Sequence, residues 1–144
     1  MIKERYVNLE VAKLLRDKGF NESCCTFYHD TDDEIRYFDE GSDFDNTLWG
    51  ELFNAIEANK NAVAPTQQMA CDWVEAIFNI AIDVWVGIIG YGVSISYALK
   101  DPNIASNDIN HKDEMPCGDN SDGSWSSKEL AYNEALKYVL TKLV

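Results

Sequence analysis

Residues 64–99 read APTQQMACDWVEAIFNIAIDVWVGIIGYGVSISYAL, and the parsing of this stretch decides the fold. Pro65 presets φ for a first helical turn and lacks the N–H that would go unpaired there, so a helix is expected from Pro65 or Thr66, capped by Ala64 or Thr66. Met69, Ala70, Trp73, Val74, Ile77 and Phe78 recur at three- and four-residue spacing. That spacing predicts a broad apolar stripe with Gln67, Gln68, Asp72 and Glu75 outside it. The stripe needs a partner, and the following residues supply one. Residues 80–89 and 91–99 are rich in Val, Ile, Trp and Tyr, with Gly87, Gly90 and Gly92 punctuating the middle, the pattern of two strands joined by a turn. In the second arm Val93, Ile95, Tyr97 and Leu99 alternate with Ser94, Ser96 and Ala98, the period of a strand with one buried face.

Upstream, Asn8 is placed to cap a helix with Val11, Leu14 and Leu15 on one side, Gly19 to close it at positive φ, and Phe20 to fold back onto it. Residues 24–28 read as a short strand, Asp30-Thr31-Asp32-Asp33 as a turn, and 35–38 as the return strand. Leu48, Trp49, Leu52, Phe53 and Ile56 again keep helical spacing, capped by Asn46 or Thr47 and closed by Asn59-Lys60-Asn61. Downstream of Leu99, residues 100–124 form a long loop rich in Asp, Asn, Ser, Gly and Pro. Ser126 with Glu129 then reads as the capping box of a last helix with Tyr132, Ala135, Leu136, Val139 and Leu143 on one stripe. The resulting order, α-β-β-α-α-β-β-α, predicts an α+β fold: two hairpins forming antiparallel sheet, packed against helices.

A chain of 144 residues is expected to make one domain, 1–144, able to bury about two-thirds of the surface its unfolded form exposes without a disulfide or metal. No apolar signal-peptide core follows the first residues, and the longest uncharged run, 84–99, is shorter than a bilayer span and interrupted by glycines. The expectation is a cytoplasmic protein that enters no membrane, its four cysteines, Cys24, Cys25, Cys71 and Cys117, reduced. The first three of these are the kind that fill a core.

The net charge is −13 and unevenly placed. Between residues 19 and 99 there are fourteen acidic side chains against Arg36 and Lys60, and eight of those acids fall within 30–45. Such a face either solubilises or docks a basic protein partner, with Asp30, Asp32, Asp33, Asp39 and Asp43 as the candidate contact residues. It argues against direct nucleic-acid binding, which needs clustered Lys and Arg.

Other chemistry is weaker. A zinc site drawn from Cys25, His29, His111 and Cys117 lacks paired short spacings. Counted from Gly118, residues Asn120, Asp122, Gly123, Ser124, Ser126 and Glu129 fall on EF-hand ligand positions, but the first position is Gly rather than Asp. His29 and His111 sit among polar turn residues with no nucleophile motif. Gly87, Gly90 and Gly92 spell a glycine-rich pattern without a following helix, hence a turn rather than a phosphate cradle. Trp49, Trp73, Trp85 and Trp125 read as core or core-edge residues, Trp125 as a staple beside the last helix. No metal or cofactor is expected.

Three blocks carry a family resemblance: Tyr6-Val7-Asn8-Leu9-Glu10-Val11-Ala12-Lys13-Leu14-Leu15 with Lys18-Gly19-Phe20; Ala64-Pro65-Thr66-Gln67-Gln68-Met69-Ala70 with Trp73, continuing through Asn79 and Ile82; and Ala131-Tyr132-Asn133-Glu134-Ala135 with Lys137-Tyr138-Val139-Leu140. Together they cover about half the chain and resemble a family of small uncharacterised proteins from gut-bacterial phages and mobile elements. The resemblance implies a cytosolic protein carried by mobile DNA and implies no activity and no functional residue. The 48–56 segment and the long loop after Leu99 depart from the family pattern. The combined expectation is a non-enzymatic accessory protein that binds a protein partner through its acidic surface or the 100–124 loop. The alternative is a small-molecule binder or enzyme using carboxylates of the 30–45 region in a pocket between sheet and helices.

Overall fold

A computed structural model of the chain describes residues 5–22, 24, 26–29, 34–37, 61–97 and 117–144. The architecture is α+β, with two antiparallel hairpins and helices packed on strands. The backbone divides into two compact units, Met1–Thr66 and Gln67–Val144.

In the first unit, helix α1 spans Leu9–Asp17. Asn8 caps it, its side-chain oxygen accepting from the Val11 N–H at 2.9 Å. At the other end Gly19 adopts φ +92°. There the Gly19 N–H reaches the Arg16 carbonyl at 3.1 Å and the Phe20 N–H reaches the Leu15 carbonyl at 2.9 Å, the paired closure that satisfies the last helical carbonyls. Phe20 folds back and is buried with Val11, Ala12 and Leu15, while Leu14 is only half-buried.

Strand β1 (Thr26–His29) pairs antiparallel with β2 (Arg36–Tyr37), Thr26 opposite Tyr37. Its other edge pairs with a strand that the sequence reading did not separate from a preceding helix, β3 (Asn61–Val63), with Phe27 opposite Val63 and His29 opposite Asn61. Asn61 thus begins a strand rather than closing a helix; three residues are too few to show a period, and pairing with β1 decides their state. The helix expected over 48–56 and the turn at 30–33 lie outside the described residues. Helix α1 packs on β3. The Tyr28 hydroxyl donates to the Val7 carbonyl at 2.8 Å, the Thr26 hydroxyl donates to the Ala64 carbonyl, and the Val7 N–H donates to the Pro65 carbonyl at 3.1 Å. Ala64 and Pro65 therefore belong to an extended segment that ends where Thr66 bridges to Tyr6.

The second unit consists of α2 (Gln67–Phe78), β4 (Ile80–Val86), β5 (Tyr91–Tyr97) and α3 (Lys128–Tyr138), the last running on as a π-helical turn, Val139–Leu143. Helix α2 starts one residue past Thr66 and its buried stripe is Gln67, Ala70, Cys71, Trp73 and Val74. The expected stripe is corrected: Met69 is exposed, Ile77 is 58% exposed, and Gln67 is inside. At 3.6 residues per turn this turns the stripe by roughly 40°, toward Cys71 and Gln67. Trp73 remains buried, its ring edge-on to Phe78 with centroids 5.5 Å apart. The helix ends at Asn79, which takes φ +59° while its N–H donates to Glu75 at 2.9 Å. Asparagine tolerates that left-handed geometry, and β4 begins at the next residue.

Strands β4 and β5 pair from Ile80 opposite Tyr97 to Val86 opposite Tyr91. Ile80, Val84 and Ile95 line the buried face, where α2 and α3 pack. Ala81, Asp83, Trp85, Gly92, Ser94 and Ser96 share the other. Helix α3 is capped by Ser127, not Ser126: the Ser127 hydroxyl accepts from the Leu130 N–H at 3.1 Å. The expected box with Glu129 is therefore not formed, and Glu129 sits in the first turn, where a negative charge suits the helix dipole. Its carbonyl accepts from the buried Gln67 amide at 2.9 Å, tying α2 to α3. Ala131, Ala135, Leu136, Val139 and Leu140 complete this core.

Candidate functional site

Among the described residues, the tip of the second hairpin carries four of the seven large hydrophobic side chains that are exposed. Val86 and Tyr91 are its last paired residues, and the four between them form a turn closed by the Gly87 N–H to the Gly90 carbonyl at 2.6 Å. Ile88 and Ile89 are therefore turn residues, with no strand partner and no inward direction. Val86 is 78% exposed and Ile88 fully so, at 103%. Ile89 and Trp85 are each about half exposed, at 55% and 50%. Four successive non-glycine side chains around one tight turn thus stand in solvent, a degree of apolar exposure that soluble surfaces keep small unless it binds something.

The tip is held in place. Residues 118–125 form a compact turn of their own, with the Gly118 N–H on the Gly123 carbonyl at 2.8 Å, the Asn120 N–H on the Ser124 carbonyl at 3.0 Å, and Gly123 at φ +86°. The Asp122 carboxylate accepts from the Ser124 N–H at 2.9 Å and its hydroxyl at 2.6 Å, and Asp119 accepts from the Ser126 N–H at 2.8 Å. The hydrogen bonds from Ser126 and Ser124 hold the Asp119 and Asp122 carboxyls, respectively, below the ordinary aspartate range. This brace then grips the hairpin. Asn120 donates to the Ile89 carbonyl at 3.2 Å, and Tyr91 and Trp125 exchange two backbone hydrogen bonds of 2.9 Å. Gly90 lies so close that a Cβ there would come within 2.5 Å of the Ser124 hydroxyl and 2.6 Å of the Trp125 carbonyl. Trp125, Val84 and Ala131 are the buried centre beneath, with Tyr91, Val93, Leu130 and Tyr132 packed around them.

Asp119 and Asp122 are spent on the chain's own N–H and hydroxyl groups, and among the described residues no group of three or more His, Cys, Asp or Glu side chains is arranged to hold a metal. Trp125 is a buried core residue, whereas Trp85 is on the exposed face, against the expectation that it belongs to the core or its edge. Cys24 and Cys71 are buried free thiols, as expected of core-filling cysteines. Burial, with Asp72 adjacent, pushes the Cys71 thiol up to about 12, so it is no nucleophile at neutral pH. Asp30, Asp32, Asp33, Asp39 and Asp43 lie outside the described residues, as do Cys25, His111 and residues 100–116 of the long loop. The described end of that loop is the brace itself. Among the described residues no helix is long and apolar enough to cross a membrane.

The exposed tip was missed because strand-like composition reads as burial. The signal that could have found it is Gly87 and Gly90 flanking Ile88 and Ile89: two branched apolar residues inside a turn have no core to enter. Comparison with family models, with curated proteins and with solved structures gives no match to this chain.

Proposed function

We propose that the protein is a non-enzymatic binding protein, an accessory factor of phage or mobile-element origin that engages a protein partner in the cytoplasm. The observation that carries this reading is the exposure of Val86, Ile88 and Ile89 on a turn braced from residues 118–125. Apolar side chains standing in water offset their exposure only when a partner covers them, and a rigid support means that little ordering entropy is lost when it does. The net charge of −13 favours a basic partner and disfavours both nucleic acid and a second copy of the same chain. The acidic run containing Asp30, Asp32, Asp33, Asp39 and Asp43 is proposed as a steering surface that speeds encounter with that partner.

The test is affinity capture with the full chain as bait, run in parallel with Val86→Ser/Ile88→Ser and with the five-aspartate neutralised variant, followed by a titration of the purified captured protein. The expected result is a basic partner whose dissociation is at least about tenfold faster from the double-serine variant, with folding unchanged by circular dichroism. Equal affinity for both proteins would overturn the tip as the binding surface, and a titration of every captured candidate that shows no saturable binding would overturn the function.

A further inference from the structure

Beside the tip, the outward face of β4 and β5 carries a single large side chain, Trp85, and its geometry is that of a plate. A Cβ built on Gly92 would fall on three adjacent atoms of the six-membered ring, Cε2, Cζ2 and Cη2, at nearly equal distances. Only a point over the ring face satisfies that, so the indole lies flat on the Gly92 backbone. Its far side extends to Gly87, whose Cβ would be 3.4 Å from Cζ3, and its Nε1 donates to the Ser94 hydroxyl at 3.2 Å. One face is covered and anchored; half of the residue stays in water. Asp83 is exposed on the same face of β4, two residues before Trp85 and paired across with Ser94, which places the two side chains about 6.5 Å apart along the strand. Between Gln67 and Tyr97 there are three carboxylates, Asp72, Glu75 and Asp83, and no Lys, Arg or His.

We infer that this plate and carboxylate receive an arginine side chain of a basic partner protein. A guanidinium is planar, stacks on an indole face, and offers a fork of donors to a neighbouring carboxylate, which a lysine ammonium does not reproduce. The Asp83 carboxylate, with no Lys, Arg or His on its own hairpin, selects a cation over a neutral ring, and the small neighbours Ala81, Gly92, Ser94 and Ser96 leave the approach open. The inference rests on the binding role proposed above and names the chemistry that the partner must present.

The test uses the full ¹⁵N-labelled chain and follows the Trp85 indole N–H resonance, identified by its loss in Trp85→Phe. Hexaarginine and hexalysine, of equal charge, are titrated at matched ionic strength, with maltohexaose as a neutral stacking control. The expected result is a saturable shift of that resonance with hexaarginine, about fivefold tighter than with hexalysine. It weakens by about the same factor in Asp83→Asn, and by less than about twofold in Asp72→Asn, whose carboxylate is on α2. No movement, equal response to both cationic peptides, or a preference for the sugar would overturn the inference. A Trp85 that ignores arginine while capture by the tip persists sinks the arginine slot alone; loss of all capture with an intact arginine response sinks the binding role instead.

Discussion

The two faces of the second hairpin share one backbone and one register, yet they obey different rules. On the inner face Ile80, Val84 and Ile95 are buried against helices and need only be apolar and of suitable volume. On the outer face the residues between them are Ala81, Asp83, Ser94 and Ser96, and the one aromatic is pinned flat by a glycine and a hydroxyl. The first arrangement stabilises whatever it touches; the second holds a shape toward solvent. Function in this molecule is thus to be sought where apolar groups are positioned without being buried, and mutations on the two sides should separate stability from binding.

The largest effect is expected inside. Leu136 is fully buried, so Leu136→Ala should cost about 2–5 kcal/mol, read as a lowered denaturation midpoint with an unchanged slope. Next comes the support of the tip. Gly90→Ala pushes a methyl against the Ser124 hydroxyl and the Trp125 carbonyl, and forcing backbone apart there should cost about 1–3 kcal/mol. It should also broaden the amide resonances of Ile88 and Ile89. At the tip, Val86→Ser/Ile88→Ser should stay within about 0.5 kcal/mol of the parent in chemical denaturation, because these side chains leave water for nothing in the free protein. A double-serine variant as unstable as Leu136→Ala would erase the distinction between the buried face and the exposed tip.

The sequence disclosed what is local and periodic. Asn8, Gly19 and Phe20 each carry a cap or closure within a few residues, and all three do what their chemistry predicts. The alternation around Ile95 likewise survives as a strand with that residue inward, although Tyr97, expected on the same buried side, is 40% exposed. What it hid depends on distant partners. Asn61–Val63 is a strand because β1 lies beside it, and Gln67 is buried because Glu129 offers a carbonyl. Ser127 displaces Ser126 as the cap because Ser126 donates its N–H to Asp119. The tip was hidden for a different reason: composition cannot tell an isoleucine that fills a core from one that stands above a turn, and only the register between Val86 and Tyr91 does so.

The smallest expected effect concerns the brace, and its sign follows from the carboxylates. Asp119 and Asp122 accept hydrogen bonds from Ser126 and Ser124, which favours their ionised forms and lowers both pKa values in the folded chain. A group depressed on folding contributes its stability above the unfolded value, about 3.9 for aspartate, and loses it as the pH falls through the folded value. The grip of residues 118–125 on the hairpin should therefore be constant from neutral pH down to about 5 and loosen only in more acidic solution. Both carboxylates are solvent-exposed, so the loosening is local and shows as faster amide exchange at Ser124 and Ser126 rather than as unfolding. Asp119→Asn/Asp122→Asn should remove the acid-linked step after correction for intrinsic exchange. If instead the amides of Gly87 and Tyr91 keep their protection while those of Ser124 and Ser126 lose theirs, the tip owes its rigidity to those two backbone bonds, and the two carboxylates are passive neighbours of the surface they adjoin.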